Sequence, residues 1–379
     1  MRFSINFSCK RIILLFSLLV CSSACTATRD SVPEVVTDSA VSGQSFEIAV
    51  LPISNQSGTP APLKDMKRLL TQSFKKQGLT ILDDEAVEAS LVKHRIRYVA
   101  GIDRATAREL KWETGAEALL ITVLELYSEE SPPKIALASR LVSTGSDPRI
   151  LWMDGIGLAG NDSIGILELS LIEDPQKLLN KAVQYISLSL AEYLSVTNHR
   201  LPRPTASLKF WPKIFYRSPV FDPKAKYTVA VVPFFNASER QSAGEIIALQ
   251  FVRQLTSLQR FSLLEPGIVR ETLLNYRIIM DDGLSMAQAE LLFDKLNVDL
   301  ILTGRIFNYQ DYRGIMGTPK VDFSSMVLER KSQEVVWSCD SHREGNDGVF
   351  FFDVGQINTA HRMADGMVAS ALATLTEQY

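Results

Sequence analysis

Ser73-Phe74-Lys75-Lys76 places a serine and a lysine one helical turn apart, the S-x-x-K spacing in which a lysine base would activate a serine nucleophile. No K-T-G accompanies it, and the second half of the chain reads Phe-Val-Arg-Gln in that region, so the spacing is taken as chance. The acidic pairs Asp83-Asp84 and Asp281-Asp282 fall where helices begin or turns form, and capping or solvation accounts for them. The four histidines, His94, His199, His342 and His361, stand apart, without ligand spacing to one another. Phosphate-cradling G-x-x-x-x-G-K-[ST], dinucleotide G-x-G-x-x-G, H-E-x-x-H, G-x-S-x-G and C-x-x-C patterns do not occur. The expectation is a protein that is not an enzyme, with no catalytic residue, no cofactor and no metal.

What the sequence carries instead is self-similarity, the first thing to test for in a long chain. "FEIAVLPISNQS" at 46–57 returns as "YTVAVVPFFNAS" at 227–238, keeping Pro52 and Asn55 as Pro233 and Asn236. Further on, "LTILDDEAVEASLVKHRIR" (79–97) parallels "FSLLEPGIVRETLLNYRII" (261–279), and "PKIALASRLV" (133–142) parallels "PKVDFSSMVL" (319–328). Trp152 corresponds to Trp337, and Gly160, Asn161 and Asp162 to Gly345, Asn346 and Asp347. This order predicts two tandem modules, over 46–196 and 227–379. The repeated Gly-Asn-Asp is read as turn chemistry, and the proline as the end of a strand, because proline has no ladder donor.

Within each module apolar runs alternate with helical periodicity. Residues 46–53 and 117–127 suit strands buried on both faces; Leu63, Met66, Leu69, Leu70 and Phe74 recur at helical spacing. Asp103 is a plausible N-cap and Gly115 a terminator for a helix over 103–114. A hairpin over 133–143 and 149–157 turns on Ser-Thr-Gly-Ser-Asp-Pro, and a helix near 174–196 closes the unit, with its counterpart across 354–378. The fold class expected is α/β: two copies of a mixed sheet, parallel early and antiparallel late, with helices packed on it. A length of 379 residues, 46% of them hydrophobic, suffices for two such cores.

Three segments lie outside the modules. Arg2, Lys10 and Arg11 precede the apolar run 12–20, which is too short to span a bilayer and reads as a signal peptide over 1–24. Ser22-Ser23-Ala24-Cys25 resembles a bacterial lipobox, which would acylate Cys25 and leave residues 25–45 as a flexible membrane tether; ordinary cleavage at Ala24 is the alternative. Only Cys339 then remains, so no internal disulfide is possible. Residues 197–226 form a Pro-rich, basic and aromatic linker with seven Lys or Arg against one Asp. Its Phe210, Trp211, Phe215, Tyr216 and Arg217 either staple the modules together or receive a partner, since Trp, Tyr and Arg concentrate in binding hot spots. A formal net charge of −3 gives no pull toward nucleic acid.

The carriers "VAVVPFFN", "FSLLEP", "LNVDLILTGRIF" and "VDFSSMVLERKSQEVVW" resemble the superfamily of the curli-assembly lipoprotein CsgG, the amino-terminal domain of TolB, FlgT and the lipoprotein activator of penicillin-binding proteins. The resemblance covers most of both modules and implies an exported, lipid-anchored module that binds an envelope protein partner. Thr26 after the lipobox, rather than Asp, implies the periplasmic side of the outer membrane. The leading expectation is a non-enzymatic scaffold or accessory protein serving secretion, curli-like assembly or cell-wall machinery. The alternative is an oligomeric outer-membrane secretion channel subunit of the CsgG type, with homo-oligomer formation left open. Lys134, Arg140, Asp322, Glu329, Arg330 and Lys331 in the hairpins argue against a pore. The tandem arrangement would create a groove between modules or a pseudo-twofold platform.

Overall fold

The first strand, β1 (Ile48–Val50), is short and wholly buried, and it runs parallel to β3 (Ala118–Ser128), pairing Ile48 with Ala118. Pro52 interrupts this run without ending it: the chain steps out over 51–53 and rejoins β3 as β2 (Ser54–Asn55). A residue without an N–H is tolerated where the ladder is already broken. The computed structural model describes residues 46–162, 171–195, 206–312, 317–349 and 355–376. Cys25, the signal and tether segments, residues 197–205 of the linker and residues 354 and 377–378 of the expected last helix lie outside them, while 355–359, also expected in that helix, are described and are not helical.

Helices α1 (Leu63–Lys76), α2 (Asp84–Lys93) and α3 (Arg104–Thr114) follow β2. Between α1 and α2, where a short strand was expected, only Ile81 bridges to Ile48. The Asp103 carboxylate accepts from Thr106 N and caps α3, and Gly115 ends it in the left-handed conformation at φ 77°. β3 is buried at all eleven positions and pairs antiparallel with β4 (Lys134–Ser143), which pairs with β5 (Ile150–Ala159). α4 (Pro175–Ser195) completes the first half, within a residue of the expected ends.

The second half has the same element order. β7 (Tyr227–Val231) and β8 (Phe235–Asn236) both run parallel to β10 (Leu300–Gln310), with α5 (Ala243–Thr256), β9 (Phe261–Leu263), α6 (Pro266–Asn275) and α7 (Met286–Leu296) between them. The hairpin β11 (Lys320–Glu329) and β12 (Glu334–Glu344) precedes α8 (Ala360–Thr376). α7 carries a full capping box, Ser285 with Gln288, and ends on Asn297 in the left-handed region. The second sheet gains an edge that periodicity did not indicate: β6 (Ile214–Arg217), from the expected linker, pairs antiparallel with β12. Its order is β6-β12-β11-β10-β7-β9, against β1-β3-β4-β5 in the first sheet.

The chain is thus α/β with two mixed sheets, and the described residues belong to one compact unit. α1 and α4 cover one face of the first sheet through Leu70, Phe74, Leu179 and Ile186. On its other face, α2 and α3 cover Leu119 and Ile121, and beyond them lie α5 and α8 from the second half. One core cluster joins Val123 and Met153 of the first sheet to Phe251 of α5, Met367 of α8 and Phe323 and Trp337 of the second sheet. α6 and α7 pack on the far face of the second sheet through Ile268, Leu292 and Phe293. The layers run helix, sheet, helix, sheet, helix. Unlike surfaces meet, a sheet face against helices, so a twofold-like platform does not form.

Lys93 donates to Glu113 at 2.5 Å and His94 Nε2 lies 2.7 Å from the same carboxylate, joining α2 to α3. These bonds, Lys93 first and His94 next, hold the Glu113 carboxyl down from its ordinary 4.5 to about 2. A carboxyl depressed by folding contributes stability above its unfolded value and loses it as pH falls through the folded one. Scanning calorimetry should therefore show a shallower fall in melting temperature from pH 4.5 to 2 in Glu113→Gln than in the parent; parallel falls would refute the assignment.

Candidate functional site

Arg140 stands in β4 among Ile135, Leu137 and Leu141, and its side chain points to the face that receives the second half. There it meets Glu265, the residue before Pro266 that opens α6. Arg140 Nε donates to Glu265 Oε2 at 3.0 Å and Nη2 to Oε1 at 2.6 Å, a two-pronged pair with 1% and 0% of the residues exposed. Ala100 O accepts from Arg140 Nη2 at 2.5 Å, and Ile102 N donates to Glu265 Oε1 at 3.2 Å. Every prong has a partner, which is what makes a buried ion pair tolerable. Next to it Gly267 lies on the backbone of Ile102, where any Cβ would collide.

A second polar knot lies farther along the same face. Glu125 of β3 and His361 of α8, both buried, approach to 2.6 Å, and Gln250 of α5 sits 3.0 Å from the same His361 nitrogen. Gly155 and Gly157 of β5 leave room for that histidine, since a Cβ on either would press on its ring. Arg240 donates to the carbonyls of Gln56, Ser57 and Glu125, and Arg253 bridges Asp154 and Asp365. Lys134 Nζ donates to Tyr312 O at 2.6 Å, and burial pushes its amine down against the opposing pull of Asp311 and Asp162. Burial likewise pushes the Asp311 carboxyl up, partly offset by the Ala360 N–H that it accepts at 2.7 Å.

The residues singled out by repetition fall into turns and cores. Asn55 accepts from Ser57 N at 3.0 Å and donates to Thr59 O at 2.8 Å; Asn236 accepts from Ser238 N at 3.1 Å and donates to Arg240 O at 2.6 Å. Trp152 and Trp337 are fully buried, the latter donating to Thr374 Oγ1 at 2.9 Å. Asp162 accepts from Ala159 N at 2.7 Å and Asp347 from Glu344 N at 3.0 Å, while Gly160 and Gly345 sit where a Cβ would strike Ile172 O and Ile357 O. Asn161 and Asn346 complete these turns. Ser73 Oγ lies 2.6 Å from Ser187 Oγ, and Lys76 is exposed. Among the described residues, no three His, Cys, Asp or Glu gather to hold a metal ion, and no helix is long and apolar enough to cross a membrane.

The linker candidates divide. Phe210 packs against the second half's core beside Gly366 of α8, and Arg217 reaches the carbonyls of Thr374 and Leu375. Arg343 Nη2 donates to Trp211 O at 3.0 Å. Ile214, Phe215 and Tyr216 lie in β6 with 66%, 39% and 51% of their surface exposed. Phe210, Arg217 and the Trp211 carbonyl therefore fasten the linker to the second half, and β6 presents a sheet edge with large side chains in solvent.

No family model and no curated protein matches the chain. Solved structures do. The PelC dodecamer from Paraburkholderia phytofirmans is similar at 20% identity over 44% of this chain and 97% of that one, with a TM-score of 0.30. Lipoprotein GNA1162 from Neisseria meningitidis is similar at 19% identity over 38% and 99%, with a TM-score of 0.28. The C-terminal domain of LpoB from Escherichia coli is similar at 12% identity over 31% and 83%, with a TM-score of 0.24. Likeness at this level assigns no activity.

Arg140 and Glu265 were not among the residues selected for function, although a charge inside an apolar strand run is a visible signal. Removing one partner of such a pair typically costs about 3–5 kcal/mol, whereas replacing both by apolar groups is often near neutral. Urea unfolding should show Arg140→Met destabilised by about that amount, with most of it recovered in Arg140→Met/Glu265→Met. A single variant losing under about 1 kcal/mol would mean that the pair does not hold the halves together.

Proposed function

We propose that the chain is a non-enzymatic accessory protein of the bacterial envelope, anchored through acylated Cys25 on the periplasmic side of the outer membrane. Its two halves are read as copies of one module of the CsgG and TolB amino-terminal kind, 46–196 and 227–379, joined by 197–226. The partner is an envelope protein that adds an extended segment beside β6, on the side away from β12. The observation that carries this is the edge itself: in the described sheet β6 pairs only with β12, and Ile214 and Tyr216 stand exposed on it. A sheet edge offers main-chain donors and acceptors for affinity, and alternate side chains for specificity.

The rival, a ring-forming channel subunit, is less favoured by the pairs of residues that face the helices. In the first sheet Ala136 pairs with Gly157 and Ala138 with Gly155, and these small residues admit α5 and α8. The corresponding ladder positions of the second sheet pair Asp322 with His342 and Ser324 with Asp340. On the opposite end, α1 exposes Lys64, Asp65, Arg68 and Gln72. Extending the stack with another copy would desolvate these charges, which costs more than surface pairing returns. Stacked arrays end on polar surfaces of this kind.

A crosslinking pull-down from envelopes with the full chain tests the reading. Ile214→Asp/Tyr216→Asp should cut partner recovery at least about tenfold while stability stays within about 0.5 kcal/mol, the usual range for surface changes. Undiminished recovery would remove β6 as the docking edge.

A further inference from the structure

Residues 25–45 lead into the fold at the carboxyl end of α3, where Glu117, two residues past Gly115, donates its N–H to Glu47 O at 2.8 Å. On the last turn of that helix Trp112 is 90% exposed, in a shallow hollow shared with His94, Arg108 and Glu109. Tryptophan is seldom left so open, because its ring is the largest apolar surface a residue can cover. The carboxylates beside it are engaged: Glu109 and Glu113 lie 3.1 and 2.7 Å from the His94 ring nitrogens, and Glu113 also holds Lys93. Glu47 and Glu117 are the exposed acids at the entry point. Arg95, Arg108 and Lys111 are exposed and enter no ion pair among the described residues. The matching helix of the second half, α7, has the same eleven residues of length but a surface made for water. Glu290 stands there at the position of Arg108 and Asp294 at that of Trp112, both exposed.

We propose that the carboxyl end of α3 rests on the phospholipid surface in which Cys25 is anchored, with the Trp112 ring among the headgroups and Arg108 and Lys111 on their phosphates. This rests on the acylation of Cys25 proposed above and is independent of β6. An indole settles at a membrane interface because its ring is apolar while its N–H keeps a polar partner. Each Lys or Arg close to an anionic surface adds to the attraction. Phe46 follows Cys25 by 21 residues, and a flexible chain of that length has a mean reach of about 25 Å, which keeps this end of the fold near the bilayer. Between tethered partners the encounter is intramolecular, so a contact too weak to hold a free protein on a membrane suffices. Its consequence is orientation: the tether alone permits any attitude of the fold, and the docked ring selects one.

The chain from Cys25 onward holds all of the described residues and one other thiol, the buried Cys339, so Cys25 can be coupled selectively to a maleimide lipid. Tethered in this way to vesicles of phosphatidylethanolamine and phosphatidylglycerol, it should lose tryptophan emission when the acyl chains carry bromine near the glycerol. Trp112→Ala should abolish that loss at an unchanged melting temperature, since the ring is exposed. Arg108→Glu/Lys111→Glu should reduce the loss by at least about half. Quenching that is absent, that persists in Trp112→Ala, or that ignores the charge reversal would overturn the proposal. Mass spectrometry of the protein taken from envelopes tests the acylation separately: an unmodified Cys25 would overturn the natural anchor alone, because the vesicle experiment supplies its own.

Discussion

Two helices, α5 and α8, are buried on both sides, and that constraint governs the molecule. A helix between two sheets has no solvent stripe, so nearly every position must be apolar, small or paired. α8 meets it with Ala364, Ala369, Ala371 and Ala373, and α5 with Ile246, Ile247, Phe251 and Val252. Of their polar residues, His361 and Arg253 reach Glu125 and Asp154 of the first sheet, and Gln250 and Asp365 bond to these two within the helix layer. The first sheet answers with alanine and glycine where the helices approach closest, and the Arg140–Glu265 pair sets how the two halves register. Replacing a buried, geometrically satisfied pair of this kind by apolar groups is often near neutral, so it adds little net stability.

Much of the fold was legible. Continuous apolar runs marked the parallel strands, Asp103 and Gly115 marked the ends of α3, and the Gly-Asn-Asp turns behaved as turn chemistry. These are local rules, and each is satisfied within about ten residues of chain. What periodicity reports is that a residue is covered, not by what. The first sheet's second face reads as buried in either case, so its covering by helices from the other half of the chain could not be extracted from strand patterns. β6 was hidden for another reason: proline and charge on both sides disguise a four-residue strand as spacer.

The residues that matter at the interface were visible only as differences between the halves. Arg140 stands where the second half has Met326, and Glu265-Pro266-Gly267 where the first has Asp83-Asp84-Glu85. Resemblance between copies identifies what folding requires of each one alone; contrast identifies what each requires of the other.

The bond between Glu125 and His361 spans 236 residues. During synthesis the first half is completed while the helix that must cover it is still unmade. Until α8 arrives, Met153, Gly155 and Gly157 form part of an open, sticky sheet face, a surface that proteases and chaperones recognise. A chain cut short before residue 360 never closes it. α8 therefore serves as a late seal, separating chains that have made it from chains that have not by the surface they leave uncovered.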